Sequence, residues 1–556
     1  MRIGWTKRGL ATAGALALAI GLTACAESER DSGDGSGGDG GSTFIFAGAS
    51  DPVMLDPALA SDGETFRVSR QIFEGLVTTE GDSTELAPAL ATEWESSEDG
   101  LTHSFTLREG VKFHDGTDFN AEAVCANFDR WHNWTGLNQN ENISYYYNKM
   151  FRGFANPEEG KDNGIYDSCT ADSPTEATIQ LNDPFAAFVA AMTLPAFSMQ
   201  SPTALEQYDA DNTTGTVDDT RFSPYATEHP TGTGPFTFES WERDQQVTLK
   251  ANPDYWGEPA KSETVIIRSI SDPNARRQEL QAGNIDGYDL VAPGDVQPLQ
   301  DEGLQVLNRP AFNILYLNFN QKTEALQDER VRQAINYAID KDAVISQSLP
   351  PGSEPAIEFM PSMVNGYNPD VTSYDYDPER AKELLAEAGQ ENLTLRFAYP
   401  TGVSRPYMPT PEATFVAVSA QLEAVGITVE PVTADWSQYL DMMQTEEGAD
   451  QRDIGFLGWT GDYDDPDNFV GTFFGAESYE WGFDNPELFD ALSDARQLPN
   501  VEEQASAYSE INEQIAQFAP GVPLSHPAPS LAFSQNVQGY VPSPFGSEAF
   551  TGVSVS

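Results

Sequence analysis

Residues 377–389 read Asp377-Pro378-Glu379-Arg380-Ala381-Lys382-Glu383-Leu384-Leu385-Ala386-Glu387-Ala388-Gly389, and this stretch decides the fold class. Asp377 is a good N-cap. Pro378 suits the first turn, where a missing N–H costs nothing, and Gly389 suits the left-handed position that ends a helix. Ala381, Leu384, Leu385 and Ala388 recur at helical spacing and form one apolar stripe. A second helix, near 411–425, again stops at a glycine, Gly426, and leads into the strand Ile427-Thr428-Val429. Helix–glycine–strand units in succession build a layered α/β lobe, with helices covering a sheet.

The alternation extends in both directions. Phe312 to Phe319 reads as an apolar strand, followed by a helix from about Asp328 to Ile345 with Val331, Ile335, Ala338 and Ile339 inward. Thr43-Phe44-Ile45-Phe46-Ala47 is the first strand of the body. Phe66, Ile72, Phe73 and Leu76 mark a helix within 64–77, and Phe105, Leu107, Val111 and Phe113 show the period of two of strands, with Glu109-Gly110 as a turn. Asn120 can cap a helix whose inner face is Val124, Phe128 and Trp131. The stretch 133–183 is polar and irregular and reads as loop-rich, and strand signals return at 247–249 and 265–267. With 556 residues the chain exceeds a single domain, so at least two lobes are expected.

The N-terminus reads as an export signal. Arg2, Lys7 and Arg8 precede a small, apolar run from Gly9 to Ala24 that is short for a transmembrane helix. It ends in Leu22-Thr23-Ala24-Cys25, which looks like a bacterial lipobox, so residues 1–24 are expected to be a removed signal and Cys25 the acylated residue. Residues 25–42, rich in Gly, Ser and Asp, form a flexible tether. The formal GxGxxG match within it, from Gly35 to Gly40, has no strand before it and no helix after it, and carries no chemistry. The chain is thus expected outside the cytoplasm, on the outer face of a bacterial cell membrane, held by lipid alone.

The formal net charge is −57. Without the leader, 27 basic residues face 87 acidic ones, so the mature chain is near −60. Such a polyanion repels nucleic acid and anionic lipid, which excludes both as primary partners. Of three cysteines, Cys25 is assigned to lipid, leaving Cys125 and Cys169 as an even pair in an oxidising compartment. Cysteine arithmetic favours a disulfide over two buried thiols.

Several segments, in order, resemble the peptide/opine/nickel-binding family of ABC-importer solute-binding proteins, extracellular solute-binding protein family 5. They are Leu86 to Trp94 with Leu107-Arg108-Glu109-Gly110-Val111-Lys112-Phe113-His114-Asp115-Gly116, then Gly232-Thr233-Gly234-Pro235-Phe236 with Asn252-Pro253-Asp254-Tyr255-Trp256, then Asp328 to Asp340, and finally Tyr376 to Gly389. The resemblance covers the body after residue 43. It implies a two-lobed α/β fold of the periplasmic-binding-protein type II class, with ligand held between lobes that close on it. Lobe one would be 43–312 plus a C-terminal return over 525–556, lobe two 313–524, and an additional subdomain of lobe one about 65–180.

Two segments look most like the dipeptide binders. In Gly458-Trp459-Thr460-Gly461-Asp462 the resemblance gives Asp462 the ligand's α-ammonium. In Ser404-Arg405-Pro406-Tyr407 it gives Arg405 the ligand's carboxylate. A dipeptide is a zwitterion of fixed charge separation, so a carboxylate and a guanidinium recognise its ends while ignoring its side chains. Its backbone can pair with exposed strand edges, for which Gly458–Gly461 and the stretch 49–53, with Ser50 and Asp51, are the candidates. Asp464, Asp465 and Asp467 read as turn and capping residues. The run is not a calcium loop, because Pro466 occupies a ligand position. Trp459, Tyr463 and Phe469 divide evenly between pocket lining and core.

No metal or other cofactor is expected. HExxH and CxxC are absent, GxSxG does not occur outside the Gly-rich tether, and the five histidines, His103, His114, His132, His229 and His526, are scattered, so an exported hydrolase is disfavoured. The same fold could instead hold a longer oligopeptide, a nickel chelate, an opine or an oligosaccharide. Nickel favours imidazole ligands, and His526, the nearest histidine, is expected on a lobe-one strand. Expected partners are a short peptide and the permease and ATPase subunits of an importer, with the chain itself a monomer.

Overall fold

The strand Thr43–Gly48 lies inside a seven-stranded sheet, parallel to Thr264–Ser269 with Phe44 opposite Val265. Phe44 and Phe46 pack with Val247, Leu249 and Ile267 on one face, while Ile45 and Ala47 pack with Leu280 and Ile285 on the other. Burial on both faces explains why the segment reads as an unbroken apolar run. In spatial order the sheet holds Phe236–Glu242, Gln246–Ala251, Thr264–Ser269, Thr43–Gly48, Gly287–Tyr288, Ser530–Phe533 and Gln305–Asn308. The computed structural model describes residues 42–155, 164–546 and 548–556. The expected signal (1–24), Cys25 and all but the last residue of the tether lie outside the described residues.

A second, six-stranded sheet runs Glu354–Pro355, Gly521–His526, Asn313–Phe319, Ile454–Thr460, Thr394–Pro400 and Thr428–Ala434. Asn313–Phe319 is buried throughout. Its Leu315, Leu317 and Phe319 face the core formed with Leu384, Leu385, Val418 and Leu422, and its Ile314 and Tyr316 face Phe359, Phe473 and Trp481. The helix Pro378–Glu387 begins where its sequence says it should: the Asp377 side chain accepts the Arg380 N–H at 2.9 Å. Gly389 adopts φ +70°. The helix expected over 328–345 is instead two, Glu329–Ala338 and Lys341–Ser348. Asp340 accepts the Ala343 N–H at 3.0 Å and starts the second, so a capping residue overrides a continuous apolar stripe.

A four-stranded antiparallel sheet, Ala91–Ser96, Thr102–Leu107, Glu176–Leu181 and Tyr166–Ser173, carries the helices Ala121–His132 and Tyr145–Phe151. Its core is aromatic, with Phe105, Phe128, Trp131, Phe151, Phe188 and Phe197 packed together. Cys125 on the helix is bonded to Cys169 on the edge strand. The stretch 133–183 is therefore not loop-rich. Tyr166–Ser173 is a mostly exposed edge strand, so it lacks the alternation that would betray it. The strand signal at 105–113 ends at Leu107; Val111 and Phe113 are buried from a turn.

Two segments, 309–312 and 527–529, carry the chain between the two large sheets. His526 ends the strand Gly521–His526 on the six-stranded sheet, where its ring Nδ1 lies 2.9 Å from the Asn313 carbonyl. This corrects its expected place on a lobe-one strand. No helix among the described residues is long and apolar enough to cross a membrane.

Candidate functional site

The two lobes line an open cavity of about 1680 Å³. One wall comes from the end of Ile454–Thr460 and the turn after it. Glycines are required here by close approach: a Cβ on Gly458 would lie 2.3 Å from the Ile314 carbonyl oxygen, and one on Gly461 2.2 Å from the Phe312 ring. The Trp459 indole lines the cavity and donates to Asn468 Oδ1 at 3.3 Å, and Thr460 Oγ1 donates to Asn313 Oδ1.

Asp462 follows directly. Its Oδ1 accepts the Tyr146 hydroxyl at 2.7 Å and its Oδ2 the Asn468 side-chain N–H at 3.0 Å, while its own N–H donates to Asn468 Oδ1 at 2.9 Å. Both side-chain partners are neutral. Burial pushes the carboxyl up to about 6, opposed only by the hydrogen bonds from Asn468 and Tyr146. This is a carboxylate positioned and desolvated without a cation.

Arg405 sits on the segment after Thr394–Pro400. Two backbone hydrogen bonds with Met408, at 3.1 and 3.0 Å, close a tight turn that holds it. Its guanidinium lies over the Trp436 ring, 4.3 Å from the centroid, and its buried Nε has no hydrogen-bond partner. Arg405, Asp462, Gly458, Trp459, Thr460, Gly461 and Ser50 thus all line the one cavity. Asp51 does not. Its carboxylate accepts the Trp241 indole N–H at 3.0 Å and the Ser269 hydroxyl at 3.0 Å, which turns it into the lobe-one framework and removes it from the site.

The acidic turn is structural beyond Asp462. Asp464 accepts from Asn365 N and Nδ2 at 3.0 and 2.8 Å, Asp465 caps the short turn Pro466–Asn468, and Asp467 takes the Tyr508 hydroxyl at 2.7 Å and Arg496 at 2.8 Å. Phe469 is core. Tyr463 is core too, but of the other lobe: its ring is buried in the aromatic cluster of the additional subdomain, with its hydroxyl 3.0 Å from Met150 Sδ. Arg496 donates to the Lys149 carbonyl at 2.7 Å beside it. The lobes are clasped.

The lobe-one wall holds residues that sequence reasoning missed. Arg67 donates to Asp289 at 2.6 Å and to Glu64 at 3.0 Å. Arg309 donates to Asp289 at 2.5 Å and grips Glu548 at 2.8 and 3.0 Å. Burial alone would raise the Asp289 carboxyl, yet Arg309 and Arg67 hold it well below the usual range. Tyr146 was equally invisible, lying 316 positions from its partner Asp462. Among the described residues no three His, Cys, Asp or Glu side chains converge to hold a metal.

The profile of bacterial extracellular solute-binding proteins, family 5, matches residues 85–481. The chain is 32% identical to heme-binding protein A of Haemophilus influenzae, over 92% of each chain. It is 31% identical to the dipeptide-binding protein of Escherichia coli, covering 92% of this chain and 94% of that one. Among solved structures, the Helicobacter pylori periplasmic binding protein DppA in complex with the peptide STSA superposes with TM-score 0.72 at 28% identity, covering 92% of this chain and 98% of that one. HbpA2 from Haemophilus parasuis superposes with TM-score 0.75 at 29% identity, over 92% of this chain and 100% of that chain.

Proposed function

The chain belongs to the bacterial extracellular solute-binding proteins of family 5, and from that premise we propose that it captures short peptides, dipeptides among them, for an ABC importer, using Asp462 and Arg405 as its two anchors. The observation that carries this is a desolvated carboxylate with only neutral partners, in the same cavity as a guanidinium resting on an indole ring. A peptide's ammonium supplies the cation that Asp462 lacks, and its carboxylate supplies the anion for Arg405. Trp459, Thr460, Gly461 and Gly458 form the strand end along which the peptide backbone lies, with Ser50 facing it from lobe one. Lobe one then comprises 43–312 and the return from 527, lobe two 313–526 with the strand that His526 ends, and the body acts as a monomer.

Isothermal titration with alanyl-alanine tests the anchors. Asp462→Asn and Arg405→Ala should each weaken binding by roughly tenfold to a hundredfold, the worth of a charge-assisted hydrogen bond of ~1.5–3 kcal/mol. Unchanged affinity in both variants sinks the assignment.

The cavity's 1680 Å³ favours a second reading, longer peptides, because pockets for drug-sized ligands measure only ~300–1,000 Å³. An alanine series from two to five residues separates the two: affinity peaking at the dipeptide supports the first, and a continued rise supports the second. We further propose that Cys25 is acylated and holds the protein on the outer face of the membrane; a Cys25→Ser chain that stays in the membrane fraction contradicts that.

A further inference from the structure

A second cavity, of about 240 Å³, lies wholly within lobe two and shares no residue with the cleft. It is walled by the start of helix Lys341–Ser348, the segments 355–359 and 372–376, helix Val501–Phe518 and strand Gly521–His526. Its volume is far above the ~30 Å³ share of one water and below the ~300 Å³ at which drug-sized pockets begin. That leaves room for a molecule of a handful of heavy atoms.

Its wall carries one cation, Lys341, and four carboxyl residues, Asp340, Asp342, Glu358 and Asp375, and among the described residues Lys341 and Glu358 form no ion pair with each other. Lys341 Nζ donates to the Ala356 carbonyl at 2.7 Å, leaving its other N–H groups for a guest. Glu358 is 3% exposed, and among the described residues its carboxyl accepts only the Asn368 backbone N–H, at 3.2 and 3.4 Å. Asn512, 1% exposed, donates to the Gly366 carbonyl at 3.2 Å, and its Oδ1 is a buried acceptor with no partner. A buried acceptor without a donor is destabilising, so the pocket favours a guest that donates.

We propose that this cavity is a second ligand site that takes a small zwitterion, a free amino acid of glycine or alanine size, with its carboxylate on Lys341 Nζ and its ammonium shared by Glu358 and Asn512 Oδ1. An amine alone or an acid alone satisfies one side of the wall and leaves the other as it was. Burial supports the same picture: it draws the Lys341 ammonium down to about 8, with Asp375 opposing, and pushes the Glu358 carboxyl up to about 9, with the Asn368 N–H opposing. Lys341 has Asp375 near it, whereas no cation opposes the burial of Glu358, and bound ammonium would draw the proton off Glu358.

Titration calorimetry of the full-length protein with glycine, in the presence of saturating alanyl-alanine to fill the cleft, tests the site. Glycine and alanine should bind saturably in the millimolar range, methylamine and acetate at least tenfold more weakly, and tryptophan not at all, because it does not fit. Lys341→Met and Glu358→Gln should each weaken glycine at least tenfold while leaving alanyl-alanine affinity in the cleft unchanged, which also reports that they fold. Asp462→Asn should leave glycine binding intact. Absent glycine binding, equal binding of tryptophan or methylamine, or loss of glycine binding in Asp462→Asn instead would each overturn the proposal. The size series on the unmodified protein decides even if the variants do not fold.

Discussion

The two walls of the cleft handle charge in opposite ways. On lobe one, Arg67 and Arg309 are ion-paired with Asp289, Glu64 and Glu548 in one network, and Arg309 ties the crossing segment 309–312 to the C-terminal Glu548. On lobe two, Asp462 rests on a tyrosine and an asparagine, and Arg405 rests on an aromatic ring. A charge that has its counter-ion holds a fold together; a charge held in place by neutral groups is kept for something that arrives later. The wall proposed to bind is the unpaired one, although the paired one has more arginines.

That contrast breaks most visibly on lobe one. Arg309→Met leaves the buried Asp289 to Arg67 alone and takes from Glu548 its two-bonded partner, and should cost about 3–5 kcal/mol in chemical denaturation. Asp462→Asn removes a carboxylate that has no counter-ion, and should leave the stability of the empty protein the same or higher. If the two losses were equal, the distinction between the walls would be wrong.

A pH titration sharpens it next. The Asp462 carboxyl moves from an ordinary 3.8 to about 6 on folding, so between those values the folded state holds a proton that the unfolded chain has lost. Its burial penalty is absent below about pH 4 and complete above about pH 6, and the stability of the empty protein declines as pH rises through that window. Binding runs the other way, because the ammonium needs the ionised form. Affinity for alanyl-alanine should fall as pH drops below about 6, by up to roughly tenfold per unit for one coupled proton. Burial also raises Asp464, to about 6, and Asp465, to about 7, so the diagnostic is the loss of that slope in Asp462→Asn. A slope that persists there assigns it to the neighbouring turn.

The smallest effect is expected for Arg405→Lys. An ammonium keeps the charge but not the planar fork or the stacking on Trp436, so affinity should drop only a few-fold, about 0.5–1 kcal/mol. A loss as large as that of Arg405→Ala would mean that geometry, not charge, is what Arg405 supplies.

Local features were legible and distant ones were not. Asp377, Pro378 and Gly389 mark their helix because a cap acts within a few residues. The break at Asp340 was legible in principle by the same signal, but the apolar stripe running past it dominated. Asp51 was placed in the site on segment position alone, and what takes it away is Trp241, 190 positions later. Tyr146 lay in a stretch read as loop, and the Arg309–Glu548 pair spans 239 positions. No periodicity connects such partners; only the return of the chain to lobe one does. Arg405 and Asp462 stand out as candidates because the whole segments around them are recognisable; a lone arginine or aspartate carries no signal.

The Tyr463 ring, sealed among the aromatics of the opposite lobe, gives the molecule a bolt as well as a lock. Parting the lobes means withdrawing that ring into water, at about 1.5–3 kcal/mol for complete exposure, whether or not anything lies in the cleft. Unloading is therefore an act of leverage: whatever receives the cargo must first prise an aromatic side chain from its socket, and the empty shell has its own reason to snap shut again.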